Sequence, residues 1–276
     1  MQSLQTIEAL RAYRAGLSGA VGFVPTMGAL HEGHASLVRR SAAENPATIV
    51  SIFVNPTQFG PNEDLAKYPR TLDADLALCE RAGASAVFFP TSEMMYPPGF
   101  RTWVSVEGLT DKLCGASRPG HFRGVTTVVT KLFNLVQPAR AYFGQKDAQQ
   151  ALVLTRMARD LDMPLQVITC PIVREADGLA MSSRNRYLDA EQRRRALALH
   201  RALRAIEDAF KAGQRDTAAL RQIGLEKLMV TDRVDYLEFV DAAGLSSVSV
   251  IQGPVLCAIA AYIGGTRLID NVVLVP

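Results

Sequence analysis

Residues 48–54 read Thr-Ile-Val-Ser-Ile-Phe-Val, a nearly continuous run of β-branched and aromatic side chains closed by Asn55-Pro56. Such a run suits a pleated backbone and is apolar on both faces, so it predicts an inner strand of a sheet covered on two sides. Shorter runs at 20–25, 86–89, 141–143 and 165–170 repeat the signal. Between them, residues 35–43, 72–82, 125–136 and 149–161 carry apolar side chains at helical spacing. Strands alternating with helices of this length predict an α/β fold: a Rossmann-like parallel sheet with helices on both faces, spanning residues 1–172. Residues 1–16 read as an amphipathic helix through Leu4, Ile7, Leu10 and Arg11.

The pattern changes near Pro171. A polar, Gly-containing stretch at 174–186 leads into helices expected at 189–212 and 217–229. Three β-like segments follow at 234–240, 255–262 and 267–275. Gly264-Gly265 between the last two predicts a hairpin turn. Residues 173–276 are therefore expected to form a smaller α+β C-terminal domain that closes over a site on the first.

Composition narrows the function classes. Of 276 residues, 48% are hydrophobic and 21% charged, enough to build a large core, and a net charge of +3 gives no warrant for nucleic-acid binding. The cysteines Cys79, Cys114, Cys170 and Cys257 are scattered and form no CxxC pair, which argues against a disulfide framework or zinc knuckle. The N-terminus lacks the apolar core of a signal peptide, and no stretch is long and apolar enough for a bilayer. The expectation is a cytoplasmic enzyme with no membrane or nucleic-acid partner.

Three clusters stand where strands give way to helices, the place at which open α/β sheets bind ligands and helix N-termini offer unpaired N–H groups. The first is Pro25-Thr26-Met27-Gly28-Ala29-Leu30-His31-Glu32-Gly33-His34. His31 and His34, three residues apart, share one face of a first helical turn, where imidazole donors can stabilise charge on a departing diphosphate. As zinc ligands the pair lacks a third member at suitable spacing. A purely structural histidine suits either one alone better than both together.

The second cluster is Asn55-Pro56-Thr57-Gln58, whose amides suit a hydroxy acid, although Asn-Pro also opens ordinary turns. The third is Gly144-Gln145-Lys146-Asp147-Ala148-Gln149-Gln150. In it Lys146 is a charge for phosphate, Asp147 a helix cap or Mg²⁺ contact, and Gln150 faces the same way from the next turn. A fourth cluster, Met181-Ser182-Ser183-Arg184 in the polar stretch, offers hydroxyls and a guanidinium for a triphosphate on a mobile loop. The loop 117–124, with Arg118, His121 and Arg123, is read as lining the site. The run Arg193-Arg194-Arg195 is read as a solvated helix face.

The His31-Glu32-Gly33-His34 spacing resembles the HxGH signature of the nucleotidyltransferase superfamily, and Met181 to Arg184 resembles its KMSKS-type loop. Taken in order, PTMGALHEGH, FVNPTQF, FGQKDAQQ and MSSRN closely resemble the pantothenate synthetase (pantoate–β-alanine ligase) family, with YPR at 68–70 and SRPGHFRGV at 117–125 extending the match along nearly the whole chain. The resemblance implies a nucleotidyltransferase-type fold and ATP-dependent condensation of pantoate with β-alanine to pantothenate, AMP and diphosphate, through pantoyl adenylate.

It further implies an ATP site at Met27, Gly28, Ala29, Leu30, His31, Glu32, Gly33 and His34, continued by Gly144, Gln145, Lys146, Asp147, Val173, Met181, Ser182, Ser183 and Arg184. His34, His31, Lys146 and Arg184 would carry catalysis, with His34 as the assigned proton donor. Gln58 and Gln150 would hold pantoate, and Gln58 would lie beside β-alanine. Mg²⁺ would accompany ATP and the chain would be a homodimer. Cys114 stands where some members carry Glu, and Ala148 where many carry an aromatic. The former is read as a small buried thiol.

Two other functions fit parts of the pattern. A nucleotidyltransferase making a dinucleotide or CDP-linked product would keep HxGH but has no need of Gln58 and Gln150. A tRNA synthetase relative or RNA-binding module would need a basic appendage for which the C-terminal region leaves little room.

Overall fold

A computed structural model describes residues 1–61 and 63–276. In the first part of the chain these are β1 (Gln2–Leu4), α1 (Ile7–Ala15), β2 (Val21–Thr26), α2 (Glu32–Glu44), β3 (Ala47–Ile52), α3 (Leu72–Arg81), β4 (Ala86–Phe88), α4 (Ser92–Met95), α5 (Cys114–Ser117), α6 (His121–Val136), β5 (Arg140–Gly144), α7 (Ala148–Asp160) and β6 (Gln166–Cys170). Then follow α8 (Ala190–Lys211), α9 (Thr217–Leu228), β7 (Arg233–Asp241), β8 (Val255–Ile263) and β9 (Thr266–Leu274). The chain divides into two compact units, Met1–Gln145 with Gln149–Pro171, and Lys146–Ala148 with Ile172–Pro276. Among the described residues no helix is long and apolar enough to cross a membrane.

The first unit is built on a six-stranded sheet of order β1-β4-β3-β2-β5-β6, parallel throughout. The order runs one way from β2 through β3 to β4 and the other way through β5 to β6. The switch point therefore falls between β2 and β5, where such sheets open a ligand crevice at their carboxyl ends. The β2–β3 ladder covers six residue pairs from Val21↔Ala47 to Thr26↔Ile52, whereas β2–β5 covers two, Gly22↔Arg140 and Phe23↔Ala141. The inner strands are apolar on both faces, and Phe23, Val24, Ile49, Val50, Val87 and Phe88 are fully buried. Each such side chain contributes roughly 1.5–3 kcal/mol relative to exposure, which fixes this register.

Strand β1 differs from the helical reading of residues 1–16. Only residues 7–15 are helical, because Gln2–Leu4 pair in parallel with Ala86–Phe88. A three-residue segment with one apolar side chain has no periodicity to betray it; the exposed edge of β4 decides its conformation.

The second unit packs α8 and α9 on the antiparallel sheet β7-β8-β9. Leu199, Leu203, Ile206 and Leu220 from the helices meet Leu237, Ile259 and Ile263 from the sheet in one core. Gly264 and Gly265 form the two-residue turn of the β8–β9 hairpin. The arginine run is more than a solvated face. Arg193 bonds Glu175 and Asp177 at 2.6 and 2.8 Å, Arg195 reaches Asp232 and the Val230 carbonyl, and Arg194 pairs with Glu191.

Candidate active site

In the first unit, β2 ends at Thr26 and the chain turns sharply before α2. Gly28 and Ala29 both take left-handed backbone, with φ of +80° and +49°. A side chain at Gly28 would be strained at that φ, and its Cβ would stand 3.1 Å from Asp75 Oδ2. Asp75, on α3 and only 2% exposed, holds this turn. Its carboxylate accepts the N–H of Ala29 at 2.9 Å, that of Leu30 at 2.8 Å and the Thr71 hydroxyl at 3.0 Å. Sequence reasoning missed Asp75, since one of two Asp residues in the first turn of a helix has no distinguishing spacing. Burial, with the Asp75 charge adding to it, pushes the Cys79 thiol up to about 12, so that sulfur is an inert filler.

His31 is the N-cap of α2, and His34 lies on its first turn, with ring centroids 4.1 Å apart. The backbone N–H of His31 donates to His34 Nδ1 at 3.3 Å. An Nδ1 that accepts leaves the proton of the neutral ring on Nε2, which makes that atom of His34 the ring's donor. That polarity suits an anion, as does the positive end of the α2 dipole.

The structure joins the first two clusters. Gln58, 8% exposed, lies in the turn Pro56–Gln58 with its Nε2 2.8 Å from Met27 Sδ. Asn55, 1% exposed, donates from Nδ2 to Gln58 Oε1 at 3.1 Å and to the Gly124 carbonyl at 3.2 Å. Its Oδ1 accepts from the Tyr96 hydroxyl at 2.8 Å and the Thr57 hydroxyl at 3.0 Å.

The backbone of Gln58 is gripped separately. Its carbonyl accepts from His121 Nδ1 at 2.8 Å and Arg118 Nη2 at 3.3 Å, and His121 Nε2 accepts from Arg118 Nη1 at 3.1 Å. Glu63 holds Arg118 by two bonds of 2.6 and 2.7 Å. Burial works to raise the Glu63 carboxyl, but the paired guanidinium outweighs it and holds the group below its usual range. The segment 117–124, read as a loop from its Gly and Pro, runs from the end of α5 into the first turn of α6, and it acts on the backbone of a predicted ligand-binding residue. Gly124 permits this closeness, because a Cβ there would stand 2.4 Å from the Thr57 carbonyl oxygen.

The two glutamines of α7, Gln149 and Gln150, separate in role. Gln149 is buried, accepting from the Cys114 N–H and donating to the Leu109 and Lys112 carbonyls, while Gln150 is half-buried on the first turn of α7. Cys114 is buried, as the sequence suggested.

In the second unit, Met181 N–H donates to the Val173 carbonyl at 3.0 Å, and Arg174 pairs with Ala180 in an antiparallel bridge. The stretch expected as a mobile loop is thus a small hairpin followed by a 3₁₀ turn, Ser183–Tyr187. Ser182 caps that turn by accepting the Arg184 N–H, and Asn185 bonds Glu175 and the Ala180 carbonyl. Its backbone bonds and the Arg193 clamp, invisible in a polar loop composition, account for the order. Lys146 and Asp147 lie in a 3₁₀ turn with Nζ and Oδ2 3.7 Å apart, and the Lys146 carbonyl accepts from Asn271 at 3.0 Å. Asn271, on β9, also escaped the sequence reading. Among the described residues no group of three or more His, Cys, Asp or Glu is arranged to hold a metal ion.

The family model for pantoate–β-alanine ligase matches residues 2–273. The chain belongs to the pantoate–β-alanine ligase family. It is 60% identical to the pantothenate synthetase of Moorella thermoacetica, the alignment covering 99% of each chain. Among solved structures, the Thermus thermophilus pantothenate synthetase superposes with a TM-score of 0.96 at 48% identity, covering 100% of both chains. The Francisella tularensis pantoate–β-alanine ligase, crystallised with β,γ-ATP and β-alanine, gives 0.83 at 33% identity, covering 99% of this chain and 97% of its own. A nucleotidyltransferase-type parallel sheet with a smaller antiparallel domain is the fold of this ligase family, and the sequence motifs led to the same family.

Proposed function

We propose that the chain condenses pantoate with β-alanine in two steps at the expense of ATP. A pantoate carboxylate oxygen attacks the α-phosphorus, the bond to the β-phosphate bridging oxygen breaks, and diphosphate leaves. The β-alanine amine then attacks the acyl carbon of pantoyl adenylate, the bond to the AMP oxygen breaks, and the amine loses a proton to solvent.

One observation carries the residue assignments: a buried amide, Gln58, lies against Met27 in the same turn region that presents the His34 Nε2–H. A hydroxy acid needs the former and a triphosphate the latter. In this reading His34 and His31, with the Met27–Leu30 backbone, hydrogen-bond phosphate oxygens. Lys146, Ser182 and Arg184 meet the charge of the leaving diphosphate, and Val173 and Met181 contact the nucleotide. Gln58 and Gln150 hold pantoate, with Gln58 beside the incoming amine. Since attack by a carboxylate needs charge stabilisation more than proton transfer, His34 acts chiefly as a donor. Residues 1–172 supply the pantoate contacts and 173–276 further phosphate contacts.

Mg²⁺ bound with ATP would supply positive charge against the diphosphate. The half-exposed Asp147 carboxylate would be a candidate oxygen donor to it, the direct ligands being otherwise the phosphates and waters on which such an ion leans. The same reading takes the enzyme as a cytoplasmic homodimer.

AMP release measured with each substrate omitted in turn tests the reaction. AMP should form in quantity only with ATP, pantoate and β-alanine together. AMP or diphosphate formed equally well without pantoate would sink the reading.

A further inference from the structure

The Tyr96 hydroxyl, remote in sequence from every cluster named so far, ends a chain of hydrogen bonds that reaches Gln58. It donates to Asn55 Oδ1 at 2.8 Å, and Asn55 Nδ2 donates to Gln58 Oε1 at 3.1 Å. The polarity of this chain follows from groups that cannot reverse. The Gly124 carbonyl can only accept, which marks the neighbouring Asn55 atom as nitrogen, and the Thr57 N–H can only donate, which marks the other as oxygen. With Gln58 Oε1 occupied by Asn55, Nε2 is turned to the Met27 side.

The phenol is well held for the task. Its ring packs edge-on to Phe100 at 5.1 Å, stacks on Trp103 at 6.3 Å and meets Phe53 at 6.3 Å. Arg123 covers Trp103 from 4.8 Å. Burial also pushes the phenol above its usual range, so it keeps its proton.

We propose that Tyr96 is a positioning residue for pantoate: acting through Asn55, it holds the Gln58 amide so that Gln58 meets the substrate as a hydrogen-bond donor to an oxygen. Gln58 Nε2 rests against a thioether, a weak acceptor, and a hydroxyl or carboxylate oxygen arriving there gains a better donor than it displaces. Without the phenol, Asn55 loses its shortest bond and Gln58 samples other rotamers. The proposal rests on the assignment of Gln58 to pantoate.

Initial rates at varied pantoate, with ATP and β-alanine saturating, test it on wild type, Tyr96→Phe, Gln58→Ala and the double variant. Tyr96→Phe keeps the ring and its aromatic neighbours, so its melting temperature and KM for ATP should match wild type while KM for pantoate rises about three- to tenfold, the worth of one hydrogen bond. In the Gln58→Ala background the same change should add nothing, because its effect runs through that amide. Effects that multiply in the double variant, or an unchanged pantoate KM in Tyr96→Phe, overturn the proposal. An unchanged pantoate KM in Gln58→Ala overturns the assignment of Gln58 itself, and the role of Tyr96 with it.

Discussion

Asp75 accepts the backbone N–H of Leu30 at 2.8 Å, so a helix far along the chain shapes the turn that delivers His31 and His34. The carboxylate takes three hydrogen bonds while 2% exposed, and Asp75→Asn removes one acceptor and introduces donors facing donors. Rates of pantoate-dependent ATP–diphosphate exchange should fall about 10- to 100-fold, the effect of sub-ångström misplacement in a preorganised site. The melting temperature should drop as well, and wild-type exchange in this variant would remove Asp75 from the account.

His34→Ala and Lys146→Ala should each cost at least about 10²-fold in adenylate formation, the scale seen when one charge-stabilising donor is lost. Far-UV circular dichroism should stay that of the wild type, as both side chains lie at element ends and neither is fully buried. Near-normal turnover in either variant ends that residue's assignment.

Glu63 gives the protein an acid-sensitive contact. Its carboxyl lies below the usual range in the folded state, so the stability it contributes is present above the unfolded value of about 4.3 and is lost as pH falls through the folded one. Urea midpoints followed from pH 7 to pH 3 should therefore decline less steeply in Glu63→Gln. The same variant should raise KM for pantoate, since Arg118 loses the partner that aims it at the Gln58 carbonyl. Parallel pH profiles for the two proteins would count against the pairing.

Gly124→Ala places a methyl 2.4 Å from the Thr57 carbonyl, and backbone on both sides leaves little room to yield. A loss of about 1–3 kcal/mol by chemical denaturation is expected, typical of overpacking. Pantoate binding should weaken in step, because the displaced turn carries Gln58.

Trypsin should cut slowly at the exposed Arg186 of this bonded turn in the ligand-free protein, and Mg-ATP should slow that cleavage further if the turn Ser183–Tyr187 grips the nucleotide. Equal cleavage with and without Mg-ATP would count against that role.

The sheet was legible because burial on both faces leaves a continuous apolar run, as in residues 48–54, and helices keep their period wherever one side stays wet. That Met27 to His34 and Gln58 follow the ends of β2 and β3 was legible too, from the apolar runs that precede them. What escaped is what depends on tertiary proximity. Strand β1 takes its conformation from β4, Asp75 reaches across to another element's backbone, and Tyr96 and Asn271 act over 41 and 125 residues of sequence. The stretch at 174–186 has loop composition, yet its order comes from a bridge and from Arg193, and hydropathy records neither.

The brief ladder between β2 and β5 has a bearing on descent and redesign. Two strands that stop pairing after Phe23 and Ala141 leave their carboxyl ends free of a shared main-chain ladder. Side chains at those ends can then be exchanged one at a time without breaking that ladder. A scaffold of this kind can pass from one acid substrate to another through single replacements, each intermediate still folded, and laboratory selection for new acyl acceptors has the same route open to it.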